Sequence, residues 1–178
     1  MALLIRAATS TDRSALVQIG LTAWISGIAP LLDDLCSEEL IEIEKLFDDF
    51  ISAHFWDDRQ KNSDDSTGCA SYLFCADLGG QVVGFYALQT SLGKNGYLSD
   101  LWVAPQWQGQ GIATPLIQDA LDKCRQNHQT GLALKLLANN RRAQAFYEKN
   151  GFSETRSISV FDPMLKRYLP RLEMLFRF

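Results

Sequence analysis

Apolar positions change period along the chain, and the changes predict its elements. Leu3-Leu4-Ile5-Arg6-Ala7 reads as a short opening strand, and Thr9-Ser10-Thr11-Asp12 supplies caps for a helix carrying Leu16, Ile19 and Ala23 on one stripe until Gly27 and Pro30 end it. A second helix starts at Ser37, with Glu38 and Glu39 in its positive first turn and Leu40, Ile43, Phe47, Phe50 and Ile51 at helical spacing. The run from Asp57 to Gly68 is polar and has no apolar period, which predicts an exposed loop. Tyr72 to Ala76 and Val82 to Leu88 form strands joined by a Gly79-Gly80 hairpin turn. A third strand, Tyr97 to Val103, follows a turn at Gly93 to Gly96.

Behind Ala104-Pro105 lies Gln108-Gly109-Gln110-Gly111-Ile112-Ala113, then a helix with Ile112, Leu116, Ile117, Ala120, Leu121 and Cys124 facing inward. Pro115 fits its first turn, where no intrahelical donor is needed. Leu132 to Leu137 is apolar enough for a strand buried on both faces. Asn139-Asn140 caps a short helix marked by Ala143, Phe146 and Tyr147 and stopped at Asn150-Gly151, with Phe152 placed for a contact across the C-cap. Ser153 to Phe161 and the alternating Leu172 to Phe178 complete the set as strands. Strands and helices in this sequence predict an α/β domain, and 178 residues suffice for one, spanning 1–178.

Composition narrows the function. Hydrophobic residues are 47% and charged ones 21%, an ordinary globular mix. Seventeen basic against twenty-one acidic residues give a net charge of −4, so the counterion-release drive toward nucleic acid is missing and none is expected as a partner. The charge-free run from Ser14 to Leu32 is broken by Gln18, Gly20, Thr22, Ser26, Gly27 and Pro30, which argues against a membrane span. Met1 to Ile5 is too short for the apolar core of a signal peptide, so the cytoplasm is the expected compartment. Cys36, Cys69, Cys75 and Cys124 have neither C-x-x-C pairing nor zinc-ligand spacing, so they are expected as reduced thiols, with no metal. His54 and His128 are expected at a helix surface or end.

Gln108 to Thr114 is the segment with chemistry. Two glycines let the backbone approach a ligand, and the helix behind presents unpaired N–H groups at its positive end, a cradle suited to pyrophosphate. No Lys follows Gly111, and position 114 is Thr, so neither the G-x-x-x-x-G-K-[ST] loop nor G-x-G-x-x-G is present. A purely structural turn is the competing reading.

Val103, Pro105 and Gln108 to Ala113 resemble the Q/R-x-x-G-x-G/A motif of the GCN5-related N-acetyltransferases, and Asn140 to Phe152 resembles that family's N-x-x-A-x-x-F-Y-x-x-x-G-F signature. The resemblance implies a mixed, largely antiparallel sheet of about six or seven strands flanked by helices, acetyl-coenzyme A as co-substrate, and a primary amine of a small molecule or peptide as acceptor. It implies that Gln108, Gly109, Gln110, Gly111, Ile112, Ala113 and Thr114 bind pyrophosphate, Gln108 standing where Arg is commoner. Leu101, Trp102 and Val103 would offer strand backbone to pantetheine from an edge splayed away from the next strand, and Asn140 and Tyr147 would lie beside the coenzyme, with Tyr147 protonating the leaving thiolate.

Some relatives carry a catalytic Glu at the position of Ser99, so Asp100 becomes the candidate base or acceptor-binding group. That departure keeps a second reading open, a non-catalytic acyl-coenzyme A sensor or interaction module. Trp24, Ile28, Phe55, Trp56, Tyr72, Trp102 and Phe161 are candidate walls of the acceptor pocket, and Arg141, Arg142 and Lys149 are candidate contacts for the coenzyme's 3′-phosphate, with a solvated helix face as the alternative. An edge strand near the C-terminus makes a homodimer an expectation as well.

Overall fold

The computed structural model describes residues 2–32, 35–56, 69–91, 93–162 and 165–178, without the side chains of Trp56 and Cys69. In chain order the elements are β1 (Leu3–Ala7), α1 (Arg13–Gly27), α2 (Ser37–Trp56), β2 (Cys69–Leu78), β3 (Gln81–Ser91), β4 (Gly96–Val103), α3 (Ala113–Gln126), β5 (Gly131–Leu137), α4 (Arg141–Lys149), β6 (Ser153–Asp162) and β7 (Arg167–Arg177). They build a seven-stranded sheet of order β1-β2-β3-β4-β5-β7-β6. Only β4 and β5 pair in parallel, so the sheet is mixed and largely antiparallel, as expected.

Alternation along the strands divides the core into two layers. Val83, Tyr86, Leu88, Leu98 and Val103 face α3, where Leu116, Ile117, Ala120, Leu121 and Cys124 form its buried stripe. Leu73, Cys75, Phe85 and Ala87 face the other way and pack on Leu16 and Ile19 of α1 and Ile51 of α2. The segment Ser10–Leu31 is long and apolar enough to cross a membrane by length and composition. In the fold, Leu16, Ile19, Ala23 and Trp24 of this segment are buried in the core.

Local signals hold at most boundaries. Gly79 and Gly80 both take positive φ, 64° and 92°, as the tight β2–β3 turn requires. Thr9 and Asp12 form a capping box on the short 3-10 turn leading into α1. The last strand begins at Arg167 rather than near Leu172. Pro170 sits in it without breaking the β5–β7 ladder, because that ladder ends at Leu137↔Arg171, and the Pro170 carbonyl instead accepts from the Ala138 N–H at 3.0 Å. The polar loop expected from Asp57 to Gly68 lies outside the described residues.

Candidate active site

The central irregularity of the sheet is at β4. Its register against β3 shifts so that Leu88 pairs with Leu98 and Ala87 with Asp100, leaving Ser99 as the extra residue of a bulge. On its other edge, β4 pairs with β5 only through Gly96↔Leu132, Tyr97↔Ala133 and Leu98↔Leu134. Beyond Leu98 the two strands part, which is the splay expected on this edge, and Leu101, Trp102 and Val103 stay paired only with Tyr86, Phe85 and Gly84 of β3. A cavity of about 460 Å³ opens at the divergence. Its floor is Ser99 to Trp102 of β4 and Leu134 to Leu137 of β5, and Asn140, Ala143 and Tyr147 of α4 close one end.

Asp100 and Trp102 share the strand face toward the first two helices. The Trp102 indole Nε1–H donates to Asp100 Oδ1 at 2.8 Å, and the indole ring meets Phe47 of α2 edge-on at 5.7 Å. Burial pushes the Asp100 carboxyl above the usual carboxylate range, while the indole hydrogen bond and, more weakly, Ser99 and His54 pull it back. The histidine is half-buried in the last turn of α2, its Nδ1 2.8 Å from the Phe50 carbonyl and its Nε2 2.9 Å from Ser71 Oγ. His128 is exposed at the end of α3, in agreement with the sequence reading.

Tyr147 is fixed from three sides. Its ring packs edge-on against Phe146 at 5.2 Å and Phe152 at 5.4 Å, and the carbonyl of Tyr147 accepts from the Phe152 N–H at 3.1 Å in the helix C-cap. Gly151 turns that cap at φ 90°, and a Cβ there would press on the Phe176 ring at 2.9 Å. Burial, with a smaller contribution from the Asp100 charge, raises the Tyr147 phenol well above its ordinary value. The phenol is therefore a weaker acid than a solvent-exposed tyrosine. Asn140 caps α4 through Oδ1, which accepts from the Ala143 N–H at 3.1 Å.

The glycine loop stands at the same end of β4. Gly109 and Gly111 adopt φ of 76° and 81°, and a Cβ built on either would meet nothing within 4 Å, so open space lies in front of the loop. Gln108 Nε2 donates to the Val103 carbonyl at 3.0 Å and Gln110 Nε2 to the Gln106 carbonyl at 2.9 Å, bracing the loop. Helix α3 starts after Ile112 with no side-chain cap and no acidic residue in its first turn, so the N–H groups near Ala113 and Thr114 are open to an anion. The loop geometry and the parted strand thus fit the phosphate and amide ends of an acyl-coenzyme A. The Val103 carbonyl on this edge already has Gln108 as a partner.

The acceptor side differs from the sequence expectation. Trp24, Ile28 and Trp102 line the main cavity, but Phe55 and Tyr72 line a separate pocket of about 80 Å³, and Phe161 is 49% exposed on edge strand β6. The Trp56 side chain lies outside the described residues. Walls that the sequence did not reveal are Ile43, Leu46, Phe47 and Phe50 of α2, and Asp162, Leu165, Leu169 and Arg171 from the β6–β7 hairpin. The α2 residues had a visible helical stripe, but nothing local says which neighbour that stripe meets. Arg141, Arg142 and Lys149 are exposed on α4. Among the described residues no cluster of His, Cys, Asp and Glu could hold a metal ion, and Cys36, Cys75 and Cys124 are free thiols.

Residues 37–152 match the model of the Acetyltransferase (GNAT) family. The chain is 32% identical over 89 residues to an uncharacterized N-acetyltransferase, YhfO, of Bacillus subtilis, covering 47% of this chain and 60% of that protein. It is 37% identical over 57 residues to N-alpha-acetyltransferase 30 of Schizosaccharomyces pombe, covering 32% and 38%. The matches thus span less than two thirds of these curated relatives. Among solved structures, PaiA N-acetyltransferase from Thermoplasma acidophilum, in complex with coenzyme A, superposes with a TM-score of 0.77 at 18% identity over 100% of both chains, a likeness of fold.

Proposed function

The chain belongs to the acetyltransferase (GNAT) family, and from that premise we propose that it transfers the acetyl group of acetyl-coenzyme A to a primary amine by direct attack in a ternary complex. The observation that carries this reading is the parting of β4 from β5 beyond Leu98, next to a glycine loop whose front is open and whose helix is uncapped. The loop N–H groups from Gly109 to Thr114 hold the pyrophosphate, and the free edge at Leu101 to Val103 orients the pantetheine arm. Acetyl-coenzyme A supplies the activated acyl carbon.

Asp100 takes the proton of the incoming ammonium at Oδ1 or Oδ2, and burial, by raising its basicity above that of an ordinary carboxylate, favours that transfer. Trp102 holds the carboxyl in place through the indole N–H. The C–S bond breaks with the sulfur departing as thiolate under a hydrogen bond from the Tyr147 hydroxyl, the nitrogen gives its second excess proton to water, and the strand backbone stabilises charge on the acyl oxygen. The reading includes a cytoplasmic setting, no metal, no nucleic-acid or membrane partner, and a homodimer formed through the β6 edge.

Ser99, standing where some relatives carry Glu, favours the rival sensor reading. Calorimetry with acetyl-coenzyme A, followed by thiol release across a panel of amines, separates the two. Binding with amine-dependent release supports the transferase; binding without release on any amine supports the sensor.

A further inference from the structure

The acceptor half of the cavity has a charge arrangement that selects its ligand. Four charged side chains line the described wall: Asp100, Lys135, Asp162 and Arg171. Three are engaged with opposite charges. Arg171 Nη2 lies 2.9 Å from Asp162 Oδ2, and Lys135 Nζ lies 3.3 Å from Glu173 Oε1. Asp100 differs, since its carboxyl is held by an indole and not by a cation. The rest of the acceptor wall is apolar, built by Ile43, Leu46, Phe47 and Phe50 of α2 with Leu165 and Leu169 from the hairpin. Leu46 is 42% exposed, so this apolar wall continues to the protein surface.

Resting on the acetyltransferase reading, we propose that the acceptor is a monoamine on an uncharged apolar body, with its ammonium at Asp100 and its aliphatic or aromatic portion along α2. One unpaired carboxylate matches one ammonium. A second ammonium on the same chain would be desolvated against Leu and Phe side chains without a free anion, and a terminal carboxylate would have to break an existing ion pair. Both polycations and free amino acids are therefore poor acceptors. A cavity of about 460 Å³ in total has room for a body of several carbons beside the acyl group.

A length-matched series tests this: hexylamine, 1,6-diaminohexane and 6-aminohexanoate, with ethylamine as the short reference and acetyl-coenzyme A saturating. Hexylamine is expected to exceed each of the other three in kcat/KM by about tenfold or more. Leu46→Glu places a carboxylate at the surface end of the wall, at a position exposed enough to keep the fold. It is expected to raise kcat/KM for the diamine at least fivefold while lowering that for hexylamine, with acetyl-coenzyme A affinity by calorimetry unchanged. A diamine or aminohexanoate turned over as well as hexylamine overturns the inference and leaves the transferase reading intact. Binding of acetyl-coenzyme A without acetylation of any amine overturns both.

Discussion

The Trp102 indole N–H and the Asp100 carboxylate, 2.8 Å apart and two residues along one strand, face the cavity together because the bulge at Ser99 resets the alternation of β4. A hydrogen bond of this kind stabilises the ionised carboxylate, opposing the burial that disfavours it. Removing the donor therefore raises the Asp100 pKa further. In Trp102→Phe, which keeps a ring against Phe47, the acid limb of the kcat/KM profile is expected to move to higher pH and kcat to fall by about tenfold. An unmoved acid limb would detach Asp100 from the rate-controlling ionisation.

Tyr147→Phe keeps the contacts with Phe146 and Phe152 and deletes only the hydroxyl. Steady-state kinetics should show kcat reduced by about a hundredfold with KM for acetyl-coenzyme A within a factor of about two. An unchanged kcat removes the hydroxyl from the mechanism.

Gly111→Ala forces an alanine into φ of 81°, where no neighbour clashes but the conformation itself costs about 1 kcal/mol. If the loop binds pyrophosphate through backbone geometry, calorimetry should show acetyl-coenzyme A affinity reduced by about tenfold. Equal affinity in the variant would make the glycines a turn and nothing more.

The β1 end of the sheet carries a separate pH signature. Asp12 accepts from both terminal nitrogens of Arg6, at 2.7 and 2.9 Å, and from the Thr9 N–H at 2.8 Å. Arg6 lowers its carboxyl from 3.8 to about 2. A carboxyl lowered on folding adds stability that is complete above its unfolded value and disappears as pH falls through its folded one. The contribution, about 2 kcal/mol, should therefore be present at pH 5 and lost between about pH 4 and 2. Asp12→Asn should show that loss at neutral pH in urea denaturation, with a flatter acid limb. A wild-type acid limb in the variant would contradict the assignment.

Local chemistry explains how much of the site was legible. Gly109, Gly111, Asn140 and Gly151 each act through their own backbone or cap, and sequence spacing reports such positions directly. The parting of β4 from β5 was implied only by resemblance, since alternation in Tyr97 to Val103 looks the same whether or not a neighbour continues. The acceptor walls were least legible. Leu165, Leu169 and Arg171 reach the cavity from a hairpin more than sixty residues beyond Asp100, and Phe55, Tyr72 and Phe161 carry the same apolar signal without facing it. The raised Tyr147 phenol was also hidden, because burial is a property of the assembled fold.

The central claim, direct acetyl transfer at the β4 divergence, is tested most directly by initial rates of coenzyme A release at varied acetyl-coenzyme A and varied hexylamine, with the N-acetyl product followed by mass spectrometry. The account predicts amine-dependent release, one N-acetyl product per thiol, and intersecting double-reciprocal lines. Release that ignores the amine, or parallel lines reporting an acetyl-enzyme, would contradict it.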